Sequence, residues 1–134
     1  HTDGAARGNP GDAGIGVVIK WNNAVRRYKK YLGVATNNRA EYEALLFALI
    51  KARGLIASKR LEIKKIICYS DSELMVRQLN RIYKVKNAEL EKLFIAVWNV
   101  SQKLPKVEYR HIVREENKDA DKLANEAIDA RVRV

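Results

Sequence analysis

Four acids sit in local contexts that each favour a bound cation or a phosphate nearby. Asp3 lies in Thr2-Asp3-Gly4, Glu41 in Thr36-Asn37-Asn38-Arg39-Ala40-Glu41, Asp71 in Ser70-Asp71-Ser72, and Asp121 in Asn117-Lys118-Asp119-Ala120-Asp121. Leu45 and Ala48 follow Glu41 at four and seven positions, and Ala124 and Ile128 follow Asp121 at three and seven. Both acids therefore share the apolar face of a helix, where an isolated carboxylate costs several kcal/mol or takes up a proton. A divalent cation removes that penalty. Taken singly, Glu41 and Asp121 also suit the positive end of a helix dipole, and Asp3 suits a turn. Asp71 follows an apolar strand, the usual place for functional groups on open α/β sheets.

All-oxygen ligands favour Mg²⁺ over softer metals, and four carboxylates can hold two such ions with room left for water and a phosphate oxygen. Two ions roughly 4 Å apart activate a water and stabilise the leaving oxygen of a phosphodiester. Zinc is disfavoured, because the two histidines, His1 and His111, have no ligand spacing with the single cysteine. That cysteine, Cys68, sits in an apolar run and reads as core filler in a reducing, intracellular compartment. Lys and Arg number 26 against 16 Asp and Glu, a formal charge of +10, for which an anionic polymer is the simplest explanation. No apolar stretch approaches membrane-spanning length.

The elements that must position the acids are legible in outline. Gly8-Asn9-Pro10-Gly11-Asp12-Ala13-Gly14 reads as a loop leading into a strand, where Ile15, Val17, Ile19 and Trp21 alternate. Asn22-Asn23 turns the chain into a second strand over about 24–34. Thr36-Asn37-Asn38 caps a helix of roughly 18 residues, ending near Gly54 or shortly after. Residues 62–69 form a buried central strand, and Ser70-Asp71-Ser72 caps a short helix to about Leu79. A basic connector, 80–87, precedes an amphipathic helix marked by Leu90, Leu93, Val97, Val100 and Leu104 and broken by Pro105. Residues 106–111 form a last strand and 117–131 a last helix. One mixed α/β domain over residues 1–134 follows. With Asp3 only two residues from His1, a strand carrying it is expected to begin upstream of this sequence.

These segments, in this order and with these separations, resemble type 1 ribonuclease H, the enzyme that cuts the RNA strand of an RNA–DNA hybrid. The resemblance implies a single-domain α/β fold with a five-stranded mixed sheet flanked by helices. It implies that Asp3, Glu41, Asp71 and Asp121 hold two Mg²⁺ ions, with Mn²⁺ as an alternative. His111, ten residues before Asp121, matches a mobile-loop histidine that assists proton transfer or product release. Asn9, Asn38 and Glu73 match groups on the minor groove of the hybrid, although Glu73 replaces a Gln often found there. Thr36 and Asn117 match a pocket gripping a DNA-strand phosphate, whose usual basic partner is Val34 here. The short connector 80–87 leaves no room for the basic protrusion of many bacterial members, so the chain resembles the protrusion-less branch. The implied reaction leaves a 5′-phosphate and a 3′-hydroxyl and needs no small-molecule cofactor and no membrane. The implied setting is a cytoplasmic monomer. Two other readings share part of the pattern: a DNA-cutting nuclease of the same fold, resolvase- or transposase-like, and a non-catalytic nucleic-acid-binding module.

Overall fold

The computed structural model describes residues 1–131. Its five strands are β1 (Thr2–Gly8), β2 (Gly11–Trp21), β3 (Ala24–Ala35), β4 (Lys65–Ser70) and β5 (Lys106–His111). The helices are α1 (Asn37–Lys59), α2 (Glu73–Leu79), α3 (Ala88–Ser101) and α4 (Lys118–Ala130), with a single 3₁₀ turn at Arg114–Glu116 before α4. The sheet order is β3-β2-β1-β4-β5, with β1–β2 and β2–β3 antiparallel and β1–β4 and β4–β5 parallel. The central strand is therefore β1, not the 62–69 run, which begins later, at Lys65, and touches β1 only at Thr2↔Ser70.

The glycine-rich stretch is strand, not loop. Only Asn9 and Pro10 turn the chain, and the ladder resumes at Gly8↔Gly11. Glycines stand in β2 because a helix backbone closes on them, as interior strand glycines often signal. A Cβ at Gly16 would lie 2.0 Å from the Ala120 carbonyl oxygen, and one at Gly14 would lie 2.7 Å from that of Ala124, both on α4. A Cβ at Gly4 would meet the Ala40 carbonyl carbon of α1 at 2.2 Å. Gly4 pairs with Ile15, between Gly14 and Gly16, so side-chain alternation puts α1 and α4 on opposite faces of the sheet.

On the α1 face, Tyr42, Leu45, Leu49, Cys68, Met75, Leu90 and Val97 form one buried cluster between the sheet and α1–α3. Burial of each large aliphatic side chain there contributes about 1.5–3 kcal/mol. Helix α1 runs five residues past Gly54, because that glycine faces open space and nothing forces a break. A glycine inside a helix costs about 1 kcal/mol relative to alanine, too little to stop a helix packed along its length. The helix ends at Arg60, whose left-handed backbone (φ 51°) lets its N–H reach the carbonyls of Ala57 and Ile56. Among the described residues no helix is long and apolar enough to cross a membrane.

Candidate active site

The parallel register Thr2↔Ser70 sets Asp3 on β1 beside Asp71, which follows the end of β4. Close packing of α1 on Gly4 brings Glu41 to the same point, and the Gly4 N–H donates to Glu41 Oε1 at 2.7 Å. Asp3, Glu41 and Asp71 thus each present a carboxylate oxygen within 4.8 Å of the others. Asp121 arrives from the other face on α4, whose approach to Gly16 fixes its depth. It lines the same open cavity of about 360 Å³. Its carbonyl and carboxylate oxygens both accept from Asn125 Nδ2, at 2.9 and 3.3 Å.

Crowding of acids shows in their protonation. Asp3 and Glu41 are 5% and 4% exposed. Burial, then the charges of Glu41 and Asp71 and the adjacent Asp121, pushes the Asp3 carboxyl up to about 9. Burial and the charge of Asp71 push Glu41 up to about 8, against the opposing pull of the Gly4 N–H. A cluster that holds protons so far above the carboxylate range lacks positive charge at its centre. Hard oxygen donors, mutual repulsion and an open cavity suit a divalent cation such as Mg²⁺.

The other sequence-derived positions divide. Asn9 lies in the β1–β2 turn, where its Oδ1 accepts from the Asn37 N–H at 3.1 Å, at the start of α1. Thr36 is the N-cap of α1, with Oγ1 accepting from the Arg39 N–H at 3.2 Å, and is exposed, as is Asn38. Glu73 lines the acid cavity and pairs with Arg77 at 2.8 Å. Asn117 is not a surface group. It is 1% exposed, and its Nδ2 donates to the Thr2 carbonyl at 2.8 Å, tying the start of α4 to β1.

His111 ends the edge strand β5 opposite Ser70 and is exposed, and it is not among the residues lining the acid cavity. Arg114 does line it, with its guanidinium 3.7 Å from the Asp121 carboxylate. The sequence reading did not single out Arg114, which begins a 3₁₀ turn at residues 114–116. An arginine three residues before a helix cap was the available signal: Arg114-Glu115-Glu116-Asn117 is a turn followed by a helix start.

A mixed sheet in this order, with acids from β1, β4, α1 and α4 at one end, defines the ribonuclease H class of α/β fold. The chain belongs to the reverse transcriptase-like family, whose profile matches residues 1–127, and within it to type 1 ribonuclease H. It is 43% identical to LC11-RNase H1, solved in complex with an RNA/DNA hybrid, covering 97% of this chain and 95% of that one with a TM-score of 0.89. RNase H1 of the halophilic archaeon Halobacterium salinarum is 32% identical, covering 96% and 95%, with a TM-score of 0.83. A bifunctional protein of Mycobacterium tuberculosis is 36% identical over 134 residues, 97% of this chain but 35% of its own length. The chain thus spans about a third of the length of the mycobacterial relatives it matches.

Proposed function

We propose that this chain is a metal-dependent endonuclease that hydrolyses the RNA strand of RNA–DNA hybrids without sequence preference, leaving 5′-phosphate and 3′-hydroxyl ends. The observation that carries this reading is the convergence of Asp3, Glu41 and Asp71 from three separate elements, with Asp121 at the rim of the same cavity. Two Mg²⁺ ions held by these four carboxylates would supply activation of the attacking water and neutralisation of charge on the leaving oxygen. The similarity to LC11-RNase H1, whose structure contains an RNA/DNA hybrid, supports the substrate class.

The remaining roles follow from each side chain's free atoms. Asn9 spends its Oδ1 on Asn37, which leaves its amide N–H groups to donate to a 2′-hydroxyl in the minor groove. Thr36 accepts from Arg39 and keeps its own hydroxyl proton for a phosphate oxygen. Asn38, exposed in the first turn of α1, offers both a donor and an acceptor. Arg114 takes the place beside the acids that the resemblance gave to His111. A guanidinium keeps its proton at any working pH, so Arg114 acts by charge, drawing the phosphate in or the cleaved end out, and not as a proton shuttle. The site comes from a single chain, and the free, buried Cys68 supports a reducing compartment, so we read the enzyme as a cytoplasmic monomer.

The test is cleavage of labelled RNA–DNA hybrid, double-stranded RNA and double-stranded DNA, with and without Mg²⁺, by the wild type and Asp71→Asn. The hybrid alone should be cut, only with metal, and Asp71→Asn should lose activity while melting near the wild-type temperature. Preferential cutting of double-stranded DNA would favour the resolvase-like alternative, and near-native turnover by Asp71→Asn would remove the metal-ligand assignment.

A further inference from the structure

Beside the acid cavity, and sharing Leu74 with it, lies an open groove of about 550 Å³ between α2 and the start of α3. Its lip is the connector 80–87. Large apolar side chains are left in solvent there: Ile82 is 62% exposed, Tyr83 48% and Leu74 39%. Among them stand the cations Lys84 and Lys86. Arg77 sits behind, its guanidinium 5.5 Å from the Tyr83 ring centroid and its Nε 2.8 Å from Glu73 at the acid cavity.

This connector is held in shape although it is exposed. Gln78, only 5% exposed, donates to the Lys84 carbonyl at 3.3 Å and accepts from the buried Tyr42 hydroxyl at 2.7 Å. The N–H groups of Ile82 and Tyr83 both reach the Arg77 carbonyl. Arg81 takes the left-handed conformation (φ 61°) that makes the turn. Ordering exposed apolar and cationic side chains in this way leaves a preformed surface and lowers the entropy cost of binding.

We infer that this groove grips the strand of the duplex that runs out of the acid cavity. Tyr83 and Ile82 lie against sugar and base faces, and Lys84 and Lys86 pair with the flanking phosphates. This rests on the nuclease reading above. Charge complementarity and continuity with the acid cavity favour a polyanion, and an exposed aromatic among cations suits the stacking of a base or sugar.

The experiment measures affinity for an 18-base-pair RNA–DNA hybrid by fluorescence anisotropy in EDTA over a range of salt concentrations. The proteins are the wild type, Tyr83→Ala, Tyr83→Phe and the double variant Lys84→Gln/Lys86→Gln. All three substituted forms should melt near the wild type, since none of these side chains is buried. Tyr83→Ala should weaken binding about fivefold or more, the value of one lost stacking contact, while Tyr83→Phe stays near the wild type. The lysine pair should lower the slope of log affinity against log salt by about two. Hybrid affinity within twofold for Tyr83→Ala, or an unchanged slope for the lysine pair, overturns the proposal. If wild-type protein still cuts hybrid in that case, the nuclease reading stands alone. If the wild type neither binds nor cuts hybrid, both fall. Unchanged hybrid affinity with a dimer lost in Tyr83→Ala would reassign the groove to self-association.

Discussion

Replacing Glu41 with Gln should stabilise the metal-free protein at neutral pH while abolishing cleavage. Glu41 is 4% exposed and faces Asp71 and Asp3, and its Oε1 accepts from the Gly4 N–H, a bond that Gln keeps. Burial and Asp71 raise its carboxyl from 4.5 to about 8, so the folded protein takes up a proton that the unfolded chain lacks. Wild-type stability from this group is complete below about pH 4.5 and is lost as pH rises towards 8. At pH 7 the solution lies about two and a half pH units above the unfolded carboxyl's value of 4.5 and still below the folded one's, which at about 1.4 kcal/mol each costs about 3 kcal/mol. Desolvating the replacement amide costs about 1 kcal/mol, leaving a gain of about 2 kcal/mol. In a chain of this size that is roughly 6–8 °C in melting temperature. Thermal unfolding in EDTA at pH 7 and pH 4.5 reads the effect: a clear gain at neutral pH and none in acid. Mg²⁺ should narrow the gap at neutral pH, because it stabilises the wild type by binding. A variant that melts below the wild type at pH 7, or by the same offset at both pH values, refutes the reasoning.

Arg114→Ala should lower turnover on hybrid about tenfold to a hundredfold, as expected for loss of one charged group beside a reacting phosphate, while His111→Ala stays within about twofold. The reverse ranking would restore the histidine. Gly16→Ala should cost about 3 kcal/mol or more, because the new methyl would meet backbone atoms of Ala120 and Ala124 rather than a yielding side chain. Calorimetry measures that loss, and the surviving folded fraction should bind Mg²⁺ more weakly, since Asp121 rides on the displaced helix. Gly54→Ala, in open space, should stabilise the protein by about 0.5–1 kcal/mol in urea unfolding and serves as its counterpart.

Much of the fold was legible because helix and strand ends carry their own signals. Thr36 and Ser72 cap α1 and α2 as their positions suggest, and the basic connector 80–87 and the strand 106–111 fall where the periodicity breaks. What misled was anything whose meaning depends on a distant partner. Glycines at 8, 11 and 14 look like a loop until α4 and the neighbouring backbone are seen to fill the space a side chain would need. Gly54 marks the helix end only loosely, because its surroundings are empty and the helix continues to Lys59. Nothing local to Asn117 announces that its amide satisfies a backbone carbonyl 115 residues away. Arg114 escaped the sequence reading because only the folded 3₁₀ turn and α4 together bring it to the lining of the acid cavity.

The acids themselves were legible as residues, and their assembly has a cause in the packing. Gly4 lets α1 approach β1 closely enough for its own N–H to hold Glu41, and its neighbour Asp3 points the other way, towards α4. Gly16, paired with Asp3, is also the position on which α4 closes, so the residue that lowers the helix sets how near Asp121 comes to Asp3. Two glycines one ladder step apart therefore place carboxylates from both faces around one point. The repulsion they create is not relieved by the surrounding +10 chain, because Asp3 and Glu41 are buried and their charges face each other, not the surface. Packing of α1 and α4 against the sheet holds the carboxylates together against that repulsion. Neutralising one acid should therefore strengthen the metal-free fold while it removes the chemistry.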